Sequence, residues 1–258
     1  MKKNPIDLAG KSVVLTGANG ILGRRYVRAY LDAGVKVAAL DLSVDGLTKH
    51  PRLFAQAVNL TDRAAVSAAF ASALKRFGRI DGIHHNCAGK AEGFFDSFED
   101  YRLDTWRSVL ASNIETALPL TQCAIVHFKK RKSGSILFTA SIYGVVGADQ
   151  RIYEGSSYMG RAINTPAVYS TSKAAVIGLT KYLAAYFADK NIRVNCLSPT
   201  GVFNNHPEEF VQKLSNIIPM GRMAHIDEYK GAIVFLCSNA SSYMKGHNLV
   251  IDGGKTVW

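Results

Sequence analysis

Tyr169 and Lys173 stand four residues apart in Tyr169-Ser170-Thr171-Ser172-Lys173, inside a segment whose apolar pattern predicts a helix over 168–188. Residues at that spacing lie one turn apart on the same helix face. A phenol ordinarily titrates near pH ~10, too high for easy proton exchange at neutral pH, and a neighbouring ammonium stabilises the phenolate and brings it towards working range. Such a pair can protonate the alkoxide that develops when a ketone is reduced, or take the proton from an alcohol that is oxidised. The same spacing also occurs on solvent-facing helices where it does no chemistry, so other residues must decide between the two.

A second constellation is Thr16-Gly17-Ala18-Asn19-Gly20-Ile21-Leu22-Gly23, between a predicted strand at 12–16 and a predicted helix at 21–33. There the chain must turn sharply, and Gly17, Gly20 and Gly23 let the backbone of Asn19, Ile21 and Leu22 approach a pyrophosphate at the helix N-terminus. A second strand, 36–41, ends in Asp41, whose carboxylate suits the adenosine ribose hydroxyls and repels a 2′-phosphate. No Arg or Lys directly follows it, so NAD(H) is favoured. NADP(H) stays open because Arg24 and Arg25 are near, and Asp41 can also simply end a strand.

These residues need a frame. Apolar runs at 12–16, 36–41, 53–59, 82–87, 135–141, 193–198 and 248–251 alternate with helical patterns at 21–33, 63–77, 104–130, 168–188 and 227–238. The alternation predicts an α/β fold, a single-domain Rossmann arrangement with a doubly wound parallel sheet of about seven strands spanning 1–258. Cys87, Cys123, Cys196 and Cys237 are scattered through apolar segments and read as buried free thiols, with no metal site expected. The net charge of +11 suits an anionic partner, but its densest run, Lys129-Lys130-Arg131-Lys132, closes a predicted helix and there complements the helix dipole. Neither a nucleic acid nor a membrane is therefore expected as partner. Two lysines at the start without an apolar stretch behind them point to a cytoplasmic protein.

The chain resembles the short-chain dehydrogenase/reductase superfamily from about residue 8 to 252. The glycine loop comes first, then Asn86-Cys87-Ala88-Gly89, Asn113, Ser141 in Ser-Ile-Tyr-Gly, Tyr169 with Lys173, the stretch from Asn195 to Pro199, and Val250-Ile251-Asp252-Gly253-Gly254. The resemblance implies an NAD(P)-dependent oxidoreductase interconverting a secondary alcohol and a ketone. By it Ser141 holds the substrate oxygen and Tyr169, Lys173 holds the nicotinamide ribose, and Asn113 positions a water linking Lys173 to solvent. It also sets Asn59, Leu60, Asn86, Ala88, Gly89, Pro199, Thr200, Gly201 and Val202 along the cofactor. Departures are the Gly-x-x-Gly-x-x-Gly spacing, Cys87 in place of an Asn, Asn59 in place of an Asp, and Thr200 in place of a Gly beside the nicotinamide.

Between Ser141 and Tyr169 the chain is longer than the family usually is, with an insertion near 149–166 carrying Tyr153, Tyr158 and Arg161. Its polar side chains suit a sugar-like or anionic substrate rather than an apolar one; a surface or subunit-contact loop is the other reading. The stretch 141–252 resembles a branch associated with bacterial surface-glycan and flagellin modification, implying a nucleotide-activated sugar or nonulosonic acid. Two alternatives stand beside this: a 3-oxoacyl-carrier-protein reductase, and a non-catalytic cofactor-sensing or nucleic-acid-binding protein on the same fold. The resemblance further implies a homotetramer, with a dimer next, and the terminal Trp258 suits burial against a neighbouring subunit.

Overall fold

The computed structural model describes residues 4–158 and 160–258, the side chain of Tyr158 excepted. Strands β1 (Ser12–Thr16), β2 (Lys36–Asp41), β3 (Leu53–Ala57), β4 (Gly82–His85), β5 (Gly134–Thr139), β8 (Ile192–Pro199) and β9 (Asn248–Ile251) form one seven-stranded sheet in the order β3-β2-β1-β4-β5-β8-β9. Every pairing in it is parallel. Successive strand residues therefore feed opposite faces. Val14, Ile83, Ile136 and Val194 enter a core with α2 (Arg63–Phe77), α4 (Ala117–Arg131) and α5 (Ala167–Tyr186), while Val13, Leu15, Val37 and Leu137 enter another with α1 (Ile21–Asp32) and α7 (Lys230–Cys237).

The strand order reverses between β1 and β4, which opens a crevice at their carboxyl ends. Backbone packing there is tight. Gly17 has φ +62°, and a Cβ added at Gly23 would lie 1.9 Å from the Gly17 carbonyl oxygen. Gly23→Ala is therefore expected to push α1 off the loop, at a cost of about 1–3 kcal/mol. A lowered Tm together with weakened NADH binding would display it; unchanged values of both would contradict the packing.

Three features depart from or add to these expectations. The predicted helix at 104–130 is broken into α3 (Leu103–Leu110), a π-helical turn at Ala111–Glu115 and α4. The cause is readable afterwards: Pro119 has no N–H to give to the carbonyl four residues back, so regular α-helix cannot run through. Second, the insertion is built of a 3₁₀ turn, Gln150–Tyr153, and a two-stranded antiparallel hairpin of β6 (Ser157–Tyr158) and β7 (Arg161–Ala162). Third, a helix not expected from the pattern, α6 (Glu208–Asn216), packs its Phe210 and Leu214 on Ile152 of that insertion. The stretch Leu103–Arg131 is long and apolar enough to cross a membrane by length and composition. It serves here as a core element, burying Val109, Leu120, Ala124 and Phe128.

Candidate active site

At the crevice, Asn86 Nδ2 donates to the Gly17 carbonyl across 3.1 Å and ties the β1 loop to the loop after β4. Gly20 is the N-cap of α1 and offers no side-chain cap, so the first N–H groups of the helix, at Ile21, Leu22 and Gly23, lack intrahelical partners. That is an anion site by construction. Asp41 closes β2 beside it and accepts from the backbone N–H of Asn19 at 2.8 Å and of Leu42 at 2.7 Å. Each carboxylate oxygen keeps acceptor capacity for a further donor. Arg24 donates through Nε to the Asn19 carbonyl at 2.9 Å.

The fit to a dinucleotide can be tested on unpartnered atoms. Asn19 Oδ1 and Thr200 Oγ1 are buried side-chain oxygens without a hydrogen-bond partner, one at each end of the crevice. Buried polar groups are ordinarily satisfied, so two unmet acceptors along one crevice fit a polar ligand lying in it. Thr200, at the end of β8, gives its N–H to Ile251 O and meets the Tyr229 hydroxyl at 3.2 Å. Pro199 is buried and Gly201 and Val202 are part-buried beside it, whereas Ala88 is exposed and Gly89 part-buried on the opposite lip. Asn59 turns its side-chain oxygen onto Thr61, and Leu60 packs into the core.

The proton-handling residues lie where β5 meets α5. Ser141 follows β5, accepts from Tyr143 N at 3.2 Å, and stands near enough to the Tyr169 phenol to draw its titration down. Lys173 is 2% exposed, and its Nζ donates to the Thr139 carbonyl at 3.0 Å, 5.8 Å from the centre of the Tyr169 ring. Asn113 sits fully buried in the π turn, accepting from Gly89 N at 2.8 Å and donating to Ser172 Oγ at 3.0 Å. Ser172 in turn donates to the Tyr169 carbonyl. Asn113 thus braces the loop after β4 against α5. Each of these two atoms makes one protein bond, which leaves the second Nδ2 hydrogen and the second Oδ1 lone pair for a further partner. Thr139 and Ser172 were not singled out from sequence; the one acts through its backbone, and the other through a contact that only the fold creates.

One electrostatic expectation changes. Burial pushes the Tyr169 phenol above its ordinary range, outweighing the nearby Ser141 that pulls it down. Burial also brings the Lys173 ammonium down to about 8. The lysine is committed to Thr139, so in the protein alone it does not do for the phenol what their spacing suggested.

The insertion walls a cleft of about 780 Å³ at the start of α5, with Ser170 next to Tyr169 on its floor. Tyr153 lines it, but its hydroxyl meets Thr165 and its ring packs 5.5 Å from Phe210. Arg161 is exposed on β7 and outside the cleft lining; the side chain of Tyr158 lies outside the described residues.

An open parallel sheet with an uncapped helix end at its switch point is the arrangement of a dinucleotide-binding α/β protein. The chain belongs to the short-chain dehydrogenase/reductase superfamily and is an NAD(P)-dependent oxidoreductase: residues 17–256 match the family model described as Enoyl-(Acyl carrier protein) reductase. Among curated relatives, D-threitol dehydrogenase of Mycolicibacterium smegmatis is 33% identical, over 97% of this chain and 94% of that protein. D-arabinitol 2-dehydrogenase (ribulose-forming) of Candida albicans is 31% identical with the same coverage, 97% and 94%. A short-chain dehydrogenase of Leptospira borgpetersenii, solved with bound NAD+, superposes with a TM-score of 0.89 at 34% identity, covering 99% of this chain and 97% of that one.

Proposed function

We propose that the protein is an NAD-preferring dehydrogenase that interconverts a secondary alcohol and a ketone on a small, polar, sugar-like substrate. The observation that carries this reading is the set of buried Ser141 and Lys173 with part-buried Tyr169, beside an uncapped, Asp41-flanked crevice. The nicotinamide dinucleotide supplies the hydride carrier and, when oxidised, a positive ring. Ser141 holds the substrate oxygen, and the Tyr169 hydroxyl gives or takes the proton at that oxygen. Lys173, fixed by Thr139, holds the ribose, while Asn113 keeps the loop after β4 in register with α5.

Two named polyol dehydrogenases among the relatives support an unactivated polyol or its ketose. A nucleotide-activated sugar or nonulosonic acid is the other form the substrate expectation takes. A 3-oxoacyl-[acyl-carrier-protein] reductase of Thermotoga maritima is 28% identical, over 97% of this chain and 99% of that protein, and gives the acyl-carrier reading its support. The cytoplasm as location and a homotetramer as assembly, a dimer next, belong to the same proposal. Leu118 and Val126 on α4, with Tyr182 and Tyr186 on α5, form exposed apolar surface in keeping with subunit contact.

The test is titration with NADH and NADPH separately, on the wild type and on Asp41→Ala. Hydrogen bonds to a charged group are worth about 1.5–3 kcal/mol, so Asp41→Ala should weaken NADH roughly 10- to 100-fold. NADPH, relieved of repulsion, should lose much less. Equal losses for the two cofactors would remove Asp41 from the discrimination.

A further inference from the structure

The cleft walled by the insertion has a chemical character that the insertion's sequence did not suggest. Among the described residues its lining carries two carboxylates, Asp96 and Glu154, and no Lys, Arg or His. Arg151, the other insertion cation, is outside the lining and bound through two guanidinium nitrogens to Asp149. An anionic substrate would meet the two carboxylates and no cation in the lining itself; the ammonium behind Glu154, that of Lys213, is already paired with Glu209 at 2.8 Å.

Two side chains of the lining keep unmet oxygens. Ser156 is 6% exposed and its Oγ has no hydrogen-bond partner; Asn164 Oδ1 has none either. The orientation of Asn164 is fixed because its Nδ2 donates to the Phe95 carbonyl at 2.8 Å, which leaves the oxygen as the unsatisfied atom. Unpartnered buried acceptors are few in native proteins, and here two fall in the wall of one cleft. Phe98, Tyr101 and Tyr153 add aromatic faces on which the C–H side of a polyol can pack. Ser170, the chain neighbour of Tyr169 in the first turns of α5, lines the cleft, which sets it at the reacting end.

We propose that this cleft receives the hydroxyl-bearing end of a neutral polyol, with Ser156 and Asn164 as acceptors, and that its carboxylates exclude anionic substrates such as nucleotide-activated sugars. The proposal rests on Tyr169 marking the reacting end. It moves specificity from Arg161, which lies outside the lining, and the Tyr153 hydroxyl, which is engaged by Thr165, to Ser156 and Asn164.

Ser156→Ala tests it. The variant removes an unsatisfied buried hydroxyl, so its Tm should equal or exceed that of the wild type. With NAD+ saturating, KM for D-threitol and D-arabinitol should rise 3- to 10-fold, while kcat/KM for 2-butanol, which lacks the remote hydroxyls, stays unchanged. The wild type should also use D-arabinitol at least 10-fold better than D-arabinonate, its charged counterpart. Unchanged polyol KM in Ser156→Ala, equal losses for the polyols and 2-butanol, or no turnover of either polyol overturns the cleft assignment. Tyr169→Phe run alongside separates the two readings: if it still turns over 2-butanol, the reacting end itself is misplaced, whereas its inactivity with a normal Ser156→Ala condemns the cleft alone.

Discussion

Tyr169→Phe is expected to lower kcat for alcohol oxidation and ketone reduction by about 10²- to 10⁴-fold, the range a positioned general acid or base supplies. The substitution keeps the ring, and with it the packing against Val168 and Phe94 in the cluster where α5 begins. Ser141 keeps its hydrogen bond from Tyr143 N. Lys173 is held by Thr139 rather than by the phenol, so the lysine should not move. For those reasons the Kd for NADH should change less than about threefold, within ~0.6 kcal/mol. A fall in kcat with intact cofactor binding is the signature of a proton-transfer residue. Turnover retained at the wild-type rate would refute the role; a parallel collapse of cofactor affinity would make Tyr169 a packing residue.

The direction of the Tyr169 shift explains what such a residue needs. Four-residue spacing revealed that phenol and ammonium share a helix face, and that much holds. Burial is a property of the whole assembled sheet, and it raises the phenol while lowering the lysine to about 8. At about 8 the lysine is still mostly an ammonium at pH 7, 5.8 Å from the centre of the Tyr169 ring, so the site keeps one positive charge beside the phenol.

The same division runs through the rest of the molecule. Strands β1, β2 and β9 were legible to the residue because short apolar runs bounded by turns have few other uses in an alternating chain. The glycine loop was legible because sharp turns restrict residue type. The break at Ala111–Glu115 was written in Pro119 but masked by strong helical periodicity on both sides. Helix α6 carried a signal as well, with Glu208 and Glu209 in its first turn and Phe210 and Leu214 four apart. What no local pattern could give was the charge balance of the cleft. It depends on Asp96 and Glu154, 58 positions apart in sequence, arriving on one wall.

Acidification from pH 7 to pH 5 is expected to cost the fold about 4 kcal/mol, and two adjacent histidines on β4 are the reason. His84 and His85 are both buried, His84 between Tyr30 at 3.1 Å and Thr139 at 2.9 Å, His85 against Thr116 at 2.9 Å. Burial holds each down to about 3; the neighbouring His85 adds to the effect on His84, and Lys173 to that on His85. Unfolded, each titrates near ~6.5. Between about pH 6.5 and 3 the unfolded chain therefore binds protons that the folded chain refuses, and unfolding free energy falls as pH falls. From pH 7 to 5 each histidine contributes about 2 kcal/mol, against a total stability of roughly 5–15 kcal/mol for a domain. The carboxylates lowered by ion pairing, such as Asp81, release their stabilisation only at more acidic pH, below the ordinary carboxylate range, so this window isolates the histidines. His127 and His206 are lowered too but are less buried, and add less. Urea unfolding at pH 7 and pH 5 measures the change, and His85→Gln, which keeps a donor for Thr116, should halve it. A wild-type stability that is flat across that window would mean that the two imidazoles are not held neutral inside the sheet.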